Sequence, residues 1–211
     1  MSGYKLYYFN VRGRGELARL AFAAANIEFE DIRLTKDEWA IEKATGRSPF
    51  GQVPFIITPD GKVLGQSFAI MKYICREAGL SPEDIFDEAV ANMICDGLED
   101  LRNGCVKIYY EQDEAKKEEM KKEFIESTLP ARLQKLEAIL KDHNEGKGFF
   151  LGDKLTYADI TFFDLVNLFS SGEPTVPEPL EKFPLLVDLY KRFLELPGIK
   201  AWVEKRPKTD H

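Results

Sequence analysis

Strand-like patterning stops near residue 65 of this 211-residue chain, and that halt limits the fold more than any other feature. Before it, strand and helix signals alternate. "YKLYYFN" reads as an apolar strand, and Leu17, Leu20, Ala21 and Ala24 then mark one face of a helix. "IEFEDIRL" carries Ile27, Phe29, Ile32 and Leu34 with the spacing of a half-buried strand. "DEWAIEKA" is a short helical turn, followed by the loop "TGRSPFG". "QVPFIITPDGKVLGQ" holds two short strands around Asp60-Gly61, a strong hairpin signal. Ser67 is placed as N-cap of a helix, "FAIMKYICREAG", that stops at Gly79. The order predicted is β-α-β-α-β-β-α.

Beyond "LSPEDIFD" the apolar residues step only at helical spacing. Val90, Ile94, Leu98, Leu101, Cys105 and Ile108 form one face; Ile125, Leu129, Leu133, Leu136 and Leu140 form the next. The charge run "EQDEAKKEEMKKE" between them is a solvated helix face. Thr156 and Asp159 frame a capping box before "ITFFDLVNLF". Leu185, Leu189, Phe193 and Leu196 give a last apolar face, ended by Pro197-Gly198. The pattern predicts an α/β domain over residues 1–80, a short linker, and an all-α domain over residues 87–211.

Charge and residue usage exclude several functions. A formal net charge of −7 disfavours a nucleic-acid partner. No apolar run approaches the roughly 20 residues of a membrane span, so no membrane partner is expected. "MSGYKLYYF" lacks the basic and apolar regions of a secretion signal, which points to the cytoplasm. Cys75, Cys95 and Cys105 make an odd count without C-x-x-C, so neither a disulfide framework nor a dithiol redox pair is indicated. The histidines are His143 and His211 alone, too few for a metal cluster or a histidine-based triad.

Gly13-Arg14-Gly15-Glu16-Leu17-Ala18 fits the G-x-G-x-x-A turn of dinucleotide-binding folds, and Glu30 and Asp31 lie about where a ribose-binding acid would. That fold needs a larger parallel sheet and a second set of strands. The sheet signals here end too early for it. Tyr7 and Tyr8 adjoin the same turn, and as strand neighbours they point to opposite faces, so at most one faces a site. The residues alone do not choose between them.

"YKLYYFNVRGRGELAR", "DEWAIEKAT", "PFGQVPFI", "GQSFAIMKYI" and "LTYADITFFD", in this order, resemble the cytosolic glutathione transferases along nearly the whole chain, and in detail their sigma class. That class includes haematopoietic prostaglandin D synthase and the lens S-crystallins. The resemblance implies a thioredoxin-like N-terminal domain, an all-α C-terminal domain and a homodimer. It implies conjugation of glutathione, as cosubstrate, to small hydrophobic electrophiles in detoxification, or glutathione-dependent isomerisation in prostaglandin metabolism. The alternative within the resemblance is a catalytically weak, crystallin-like structural homologue.

Site residues follow from the same resemblance. It selects Tyr8 as the hydroxyl that hydrogen-bonds the glutathione sulfur, with Arg14 adding positive field beside it. A thiol of pKa near 8.5 must drop about two units to be mostly ionised at neutral pH, roughly 2.7 kcal/mol of preferential stabilisation. One hydrogen bond to a charged atom contributes about 1.5–3 kcal/mol, so a phenol suffices without a histidine base. Pro54 is implied to be cis, turning the Val53 backbone outward to pair with extended glutathione. Gln66 and Ser67 are implied to take the γ-glutamyl end, where a helix N-terminus attracts carboxylate. Trp39, Lys43 and Gln52 match positions contacting the glycyl end or the backbone of glutathione. Asp100 matches an acid reaching the γ-glutamyl amine of the partner subunit's cosubstrate. Asp96, Glu99 and Asp100 correspond to a divalent-ion cluster of prostaglandin D synthase; Glu99 replaces an aspartate and leaves that ion open, and the core chemistry requires no metal. Phe9, Arg12, Lys107, Tyr110, Phe163 and the terminal "KRPKTDH" are assigned to the electrophile pocket. Lys107 stands where prostaglandin D synthase has tryptophan.

Overall fold

The computed structural model describes residues 3–170 and 175–209, apart from the side chain of residue 144. Strand β1 is Tyr4–Phe9, and its alternation buries Leu6 and Tyr8 on one face and Tyr7 on the other. β2, Phe29–Leu34, runs parallel to it, with Tyr4 opposite Phe29 and Phe9 opposite Leu34. Helix α1, Glu16–Ala25, makes the crossover. Helix α2, Lys36–Ala44, opens with a capping box in which Thr35 and Glu38 bond each other's backbone N–H at 2.7 and 3.2 Å. β3, Phe55–Ile57, and β4, Val63–Gly65, form the antiparallel hairpin anticipated around Asp60-Gly61. The sheet order is β2-β1-β3-β4. Helix α3, Ser67–Glu77, closes with the Leu80 N–H on the Cys75 carbonyl at 2.8 Å. The element order thus agrees with the sequence. One detail differs: Ser67 is the first helical residue, and Gln66, at φ 71° and without a side-chain capping bond, occupies the cap position.

The remaining elements are helical, and among the described residues no strand follows Gly65. α4 is Ile85–Tyr110, capped by the Asp84 carboxylate on the N–H groups of Phe86 and Asp87. α5, Glu114–Glu123, buries none of its residues, as its charge run predicts. α6 is Leu129–Asp142, α7 Tyr157–Phe169, α8 Pro184–Leu194 and α9 Pro197–Lys205. Ile125 was assigned to the apolar face of Leu129 and Leu133, yet it is 45% exposed while Phe124 is buried. A π turn over Phe124–Thr128 causes the slip, because its wider turn moves the inward position back by one residue.

The chain divides into two compact units. One joins Met1–Ser81 to Leu194–His211, over their described residues; the other is Pro82–Phe193. The sequence placed the whole C-terminus, through residue 211, in the helical domain. The difference lies in α9, which begins where a helix end was expected. Proline is tolerated at a first helical position, and Pro197 opens α9. A Cβ on Gly198 would lie 2.0 Å from the Ala23 carbonyl oxygen, so glycine lets α9 lie directly on α1.

In the second unit α4 packs on α7. The capping box foreseen at Thr156 is present, and its acid does more than cap. The fully buried Asp159 carboxylate accepts from Thr156 N–H at 2.8 Å, Thr156 Oγ1 at 3.0 Å and Phe150 N–H at 2.9 Å. It ties the preceding loop to the start of α7. Phe163 was assigned to the electrophile pocket. It has no exposed area and stacks on Phe193 and Tyr190, with ring centroids 4.5 and 5.1 Å away. Phe163 therefore belongs to the helical core, where such stacking adds to area burial.

Candidate active site

Tyr8 ends the buried face of β1, and the segment after it folds back over its ring. Residues Gly13–Gly15 form a single 3-10 turn leading into α1. The Arg14 backbone N–H donates to the Tyr8 hydroxyl at 3.0 Å. A Cβ on Gly13 would lie 2.6 Å from that hydroxyl oxygen, and one on Gly15 would lie 2.4 Å from the ring. The two glycines of the apparent dinucleotide motif therefore make room for a phenol, with no pyrophosphate in the account. Asp31, the would-be ribose acid, bonds Arg19 at 3.0 Å and Arg33 at 2.8 Å. The Arg14 side chain is exposed beside Tyr8.

Tyr7 takes the opposite face. It stacks on Phe55 at 4.5 Å and belongs to a core cluster with Leu34. Phe9, assigned to the electrophile pocket, packs on this same cluster and meets Trp39 edge-on at 6.5 Å. Period-two alternation sends it to the Tyr7 side. Arg12, given to the same pocket, is buried to 8% exposure, and its carbonyl accepts the Glu16 N–H.

Next to the turn is a cavity of about 570 Å³ lined by Arg14, Trp39, Lys43, Gln52, Val53, Pro54, Gln66 and Ser67. All eight were singled out in the sequence. Ser48, Phe50, Gly51 and Gly65 complete the wall and were missed. Ser48 shapes its loop: its Oγ donates to the Gln52 carbonyl at 2.5 Å and accepts the Gln52 N–H at 3.1 Å. The signal lay in "SPFGQ", a turn sequence joining a hydroxyl to a glutamine. The Val53-Pro54 bond is cis.

The far wall is the start of α3. Its first N–H groups lack a side-chain cap and carry the positive end of the helix dipole. Gln66 holds a left-handed backbone, rare for a residue with a side chain and commonly found at binding sites. The cavity thus offers an uncapped helix start that favours an anion, the Val53 backbone before a cis proline, Lys43 and Trp39, and a phenol nearby. These are suited to an extended, doubly carboxylated peptide.

The remaining candidates lie in the second unit. Asp100 is exposed on α4 and stands 3.7 Å from Arg132. Glu99 stands 3.8 Å from Arg102, which also bonds the buried Asp164. Among the described residues no group of three or more acid, cysteine or histidine side chains comes together as a metal would require. Lys107 and Tyr110 are exposed in the last turn of α4, where Tyr110 meets Tyr109 edge-on. Of "KRPKTDH", Arg206 is buried within the first unit, and Asp210 and His211 lie outside the described residues. Among the described residues no helix is long and apolar enough to cross a membrane.

The thioredoxin-like unit with its cis-proline cavity, followed by a helical unit, defines a glutathione-dependent transferase, and comparison with known proteins agrees. A model described as "Glutathione S-transferase, N-terminal domain" matches residues 4–76, and one described as "Glutathione S-transferase, C-terminal domain" matches residues 99–206. The chain is 36% identical over 209 residues to hematopoietic prostaglandin D synthase of Gallus gallus, with 99% of each chain covered. It is 35% identical over 214 residues to glutathione S-transferase 1 of Ascaris suum, with both chains fully covered. It superposes on monomeric Na-GST-3, a glutathione S-transferase of Necator americanus, with a TM-score of 0.84 at 32% identity, covering 99% of this chain and 100% of that one. The chain belongs to the glutathione S-transferase family, and its activity is that of a transferase using glutathione.

Proposed function

We propose a sigma-class cytoplasmic transferase in which the Tyr8 hydroxyl stabilises the glutathione thiolate for attack on small hydrophobic electrophiles, a detoxifying conjugation. The observation that carries this is the Arg14 N–H on the Tyr8 hydroxyl oxygen at 3.0 Å. An N–H donor on the phenol oxygen leaves the hydroxyl to act toward sulfur as a hydrogen-bond donor. The Arg14 guanidinium adds positive field at the same mouth. The peptide of glutathione lies along Val53, its γ-glutamyl carboxylate at Gln66, Ser67 and the first N–H groups of α3. Its glycyl carboxylate lies toward Trp39 and Lys43, with Gln52 between. Lys107 and Tyr110 are retained for the electrophile side.

A second activity, isomerisation of a prostaglandin endoperoxide, is favoured by the 36% identity to the avian prostaglandin D synthase. The exposed Lys107 argues against it, since a cation is a poor neighbour for a long apolar chain. Turnover on a chloronitroaromatic and on prostaglandin H, measured side by side, tests the assignment. Conjugation should be readily measured, and its absence would leave the catalytically weak, crystallin-like alternative.

The glutathione site is proposed to be completed in trans by Asp100 within a homodimer. The γ-glutamyl amine is cationic, and no acid lines the cavity. A charge-assisted bond there contributes about ten- to a hundredfold in affinity. The monomeric Necator relative makes the test worthwhile. In a mixed dimer of Asp100→Asn with Ser67→Ala, calorimetry should find one normal and one doubly impaired site. Two equally weakened sites, or failure to isolate any dimer, would rule the arrangement out.

A further inference from the structure

Arg19 is a cation with no exposed side-chain area on the buried face of α1, where the other residues are leucine, alanine, phenylalanine and one acid, Glu16. Its Nη1 donates to the Val11 carbonyl at 2.7 Å and its Nη2 to the Phe9 carbonyl at 3.3 Å. These carbonyls lie on the segment between Tyr8 and Arg14. The guanidinium carbon sits 5.7 Å from the centroid of the Tyr8 ring. Two carboxylates hold Arg19: Asp31 on Nε at 3.0 Å, and Glu16 Oε2 at 3.4 Å from Nη1. Glu16 is buried as well, and its other oxygen accepts from Trp202 Nε1 and Arg206 Nη1, both at 2.8 Å.

We propose that Arg19 is a positioning residue for the turn that presents the Tyr8 hydroxyl and the Arg14 N–H, and that Glu16, with Trp202 of α9 and Arg206 just beyond it, locks its orientation. The inference rests on the proposed role of Tyr8 as donor to the glutathione sulfur. Arg19 touches neither the cavity wall nor solvent, so it acts through the backbone it grips. Stability alone is a poor reason for such a cluster, because apolar residues of similar volume commonly serve a buried site as well or better. What a planar guanidinium supplies is direction: its fixed fork spans two carbonyls and two acids at once, and lysine cannot reproduce that. A turn displaced by a fraction of an ångström would weaken the hydrogen bond to a thiolate far more than the diffuse contacts along the peptide.

The test is ultraviolet titration of the thiol of bound glutathione, with glutathione affinity, turnover and melting temperature measured on the same proteins. Arg19→Lys should raise the bound thiol pKa by about half a unit to one unit and lower turnover at neutral pH about 1.5- to threefold, with Kd within about twofold. Trp202→Phe keeps an aromatic ring against Phe29 but removes the donor to Glu16. It should shift the pKa the same way by a smaller amount, and it carries the test if Arg19→Lys does not fold. Folded variants with the wild-type thiol pKa and only a lower melting temperature would overturn the proposal. Tyr8→Phe in the same titration separates the two ideas. If it shifts the pKa while the Arg19 and Trp202 variants do not, only the positioning role fails. If it leaves the pKa unmoved, the Tyr8 assignment fails, and the positioning role with it.

Discussion

Replacing Tyr8 by Phe is expected to lower conjugating turnover about thirty- to one-hundred-and-fiftyfold and leave glutathione Kd within about threefold. The change removes one oxygen from a ring that the Gly13 and Gly15 backbone approaches closely, so little repacking is expected. What disappears is the hydrogen bond to the thiolate, worth about 2–3 kcal/mol, which corresponds to that range of rates. On the proposed binding mode, affinity comes from the cavity wall around Val53 and Ser67, which the substitution leaves alone. Steady-state kinetics on a chloronitroaromatic with a parallel binding titration give both quantities. Tyr7→Phe is the control, because Tyr7 faces the Phe55 cluster. A larger loss from Tyr7→Phe than from Tyr8→Phe would reverse the assignment.

The largest effect on stability is expected at Asp159. Asp159→Ala leaves Thr156 N–H, Thr156 Oγ1 and Phe150 N–H facing an interior without their acceptor. Stranded buried donors cost about 1–3 kcal/mol each, and partial relaxation brings the total to about 3–5 kcal/mol. Denaturant unfolding measures it; a loss under about 1 kcal/mol would mean that water or rearrangement satisfies the donors. pH adds a signature. Burial raises the Asp159 carboxyl from its ordinary 3.8 to about 6, outweighing the N–H and hydroxyl donors that pull it down. A raised carboxyl pKa means the folded chain holds the proton more tightly than the unfolded one. Its contribution is greatest below the unfolded value and is lost as pH rises through about 6. The gap between wild type and Asp159→Ala should therefore be wider in mild acid than at neutral pH.

Short-range chemistry made much of this molecule legible in the sequence. Period-two and 3.6-residue spacing located four strands and the main helices, because each is decided by residues within a turn or two of one another. The Thr156–Asp159 box was visible for the same reason. Eight of the cavity-lining residues could be named in advance because they sit in short contiguous motifs. With His143 and His211 alone, composition disfavoured a histidine-based triad.

Tertiary structure decided what distance along the chain conceals. Nothing in "YYF" tells which tyrosine faces α1; the packing of Tyr7 on Phe55, 48 residues later, does. The π turn at Phe124 displaced Ile125 by one position, a slip that a fixed spacing cannot register. Phe163, an aromatic on a helix like any other, became core only when Tyr190 and Phe193 closed over it. Pro197-Gly198 looked like an ending and proved to be the start of the helix that brings Trp202 and Arg206 to Glu16. Those residues lie 186 and 190 positions apart in sequence. A buried acid flanked by glycine and leucine gives no local hint of its partners, since its desolvation is offset only by groups that the finished fold delivers.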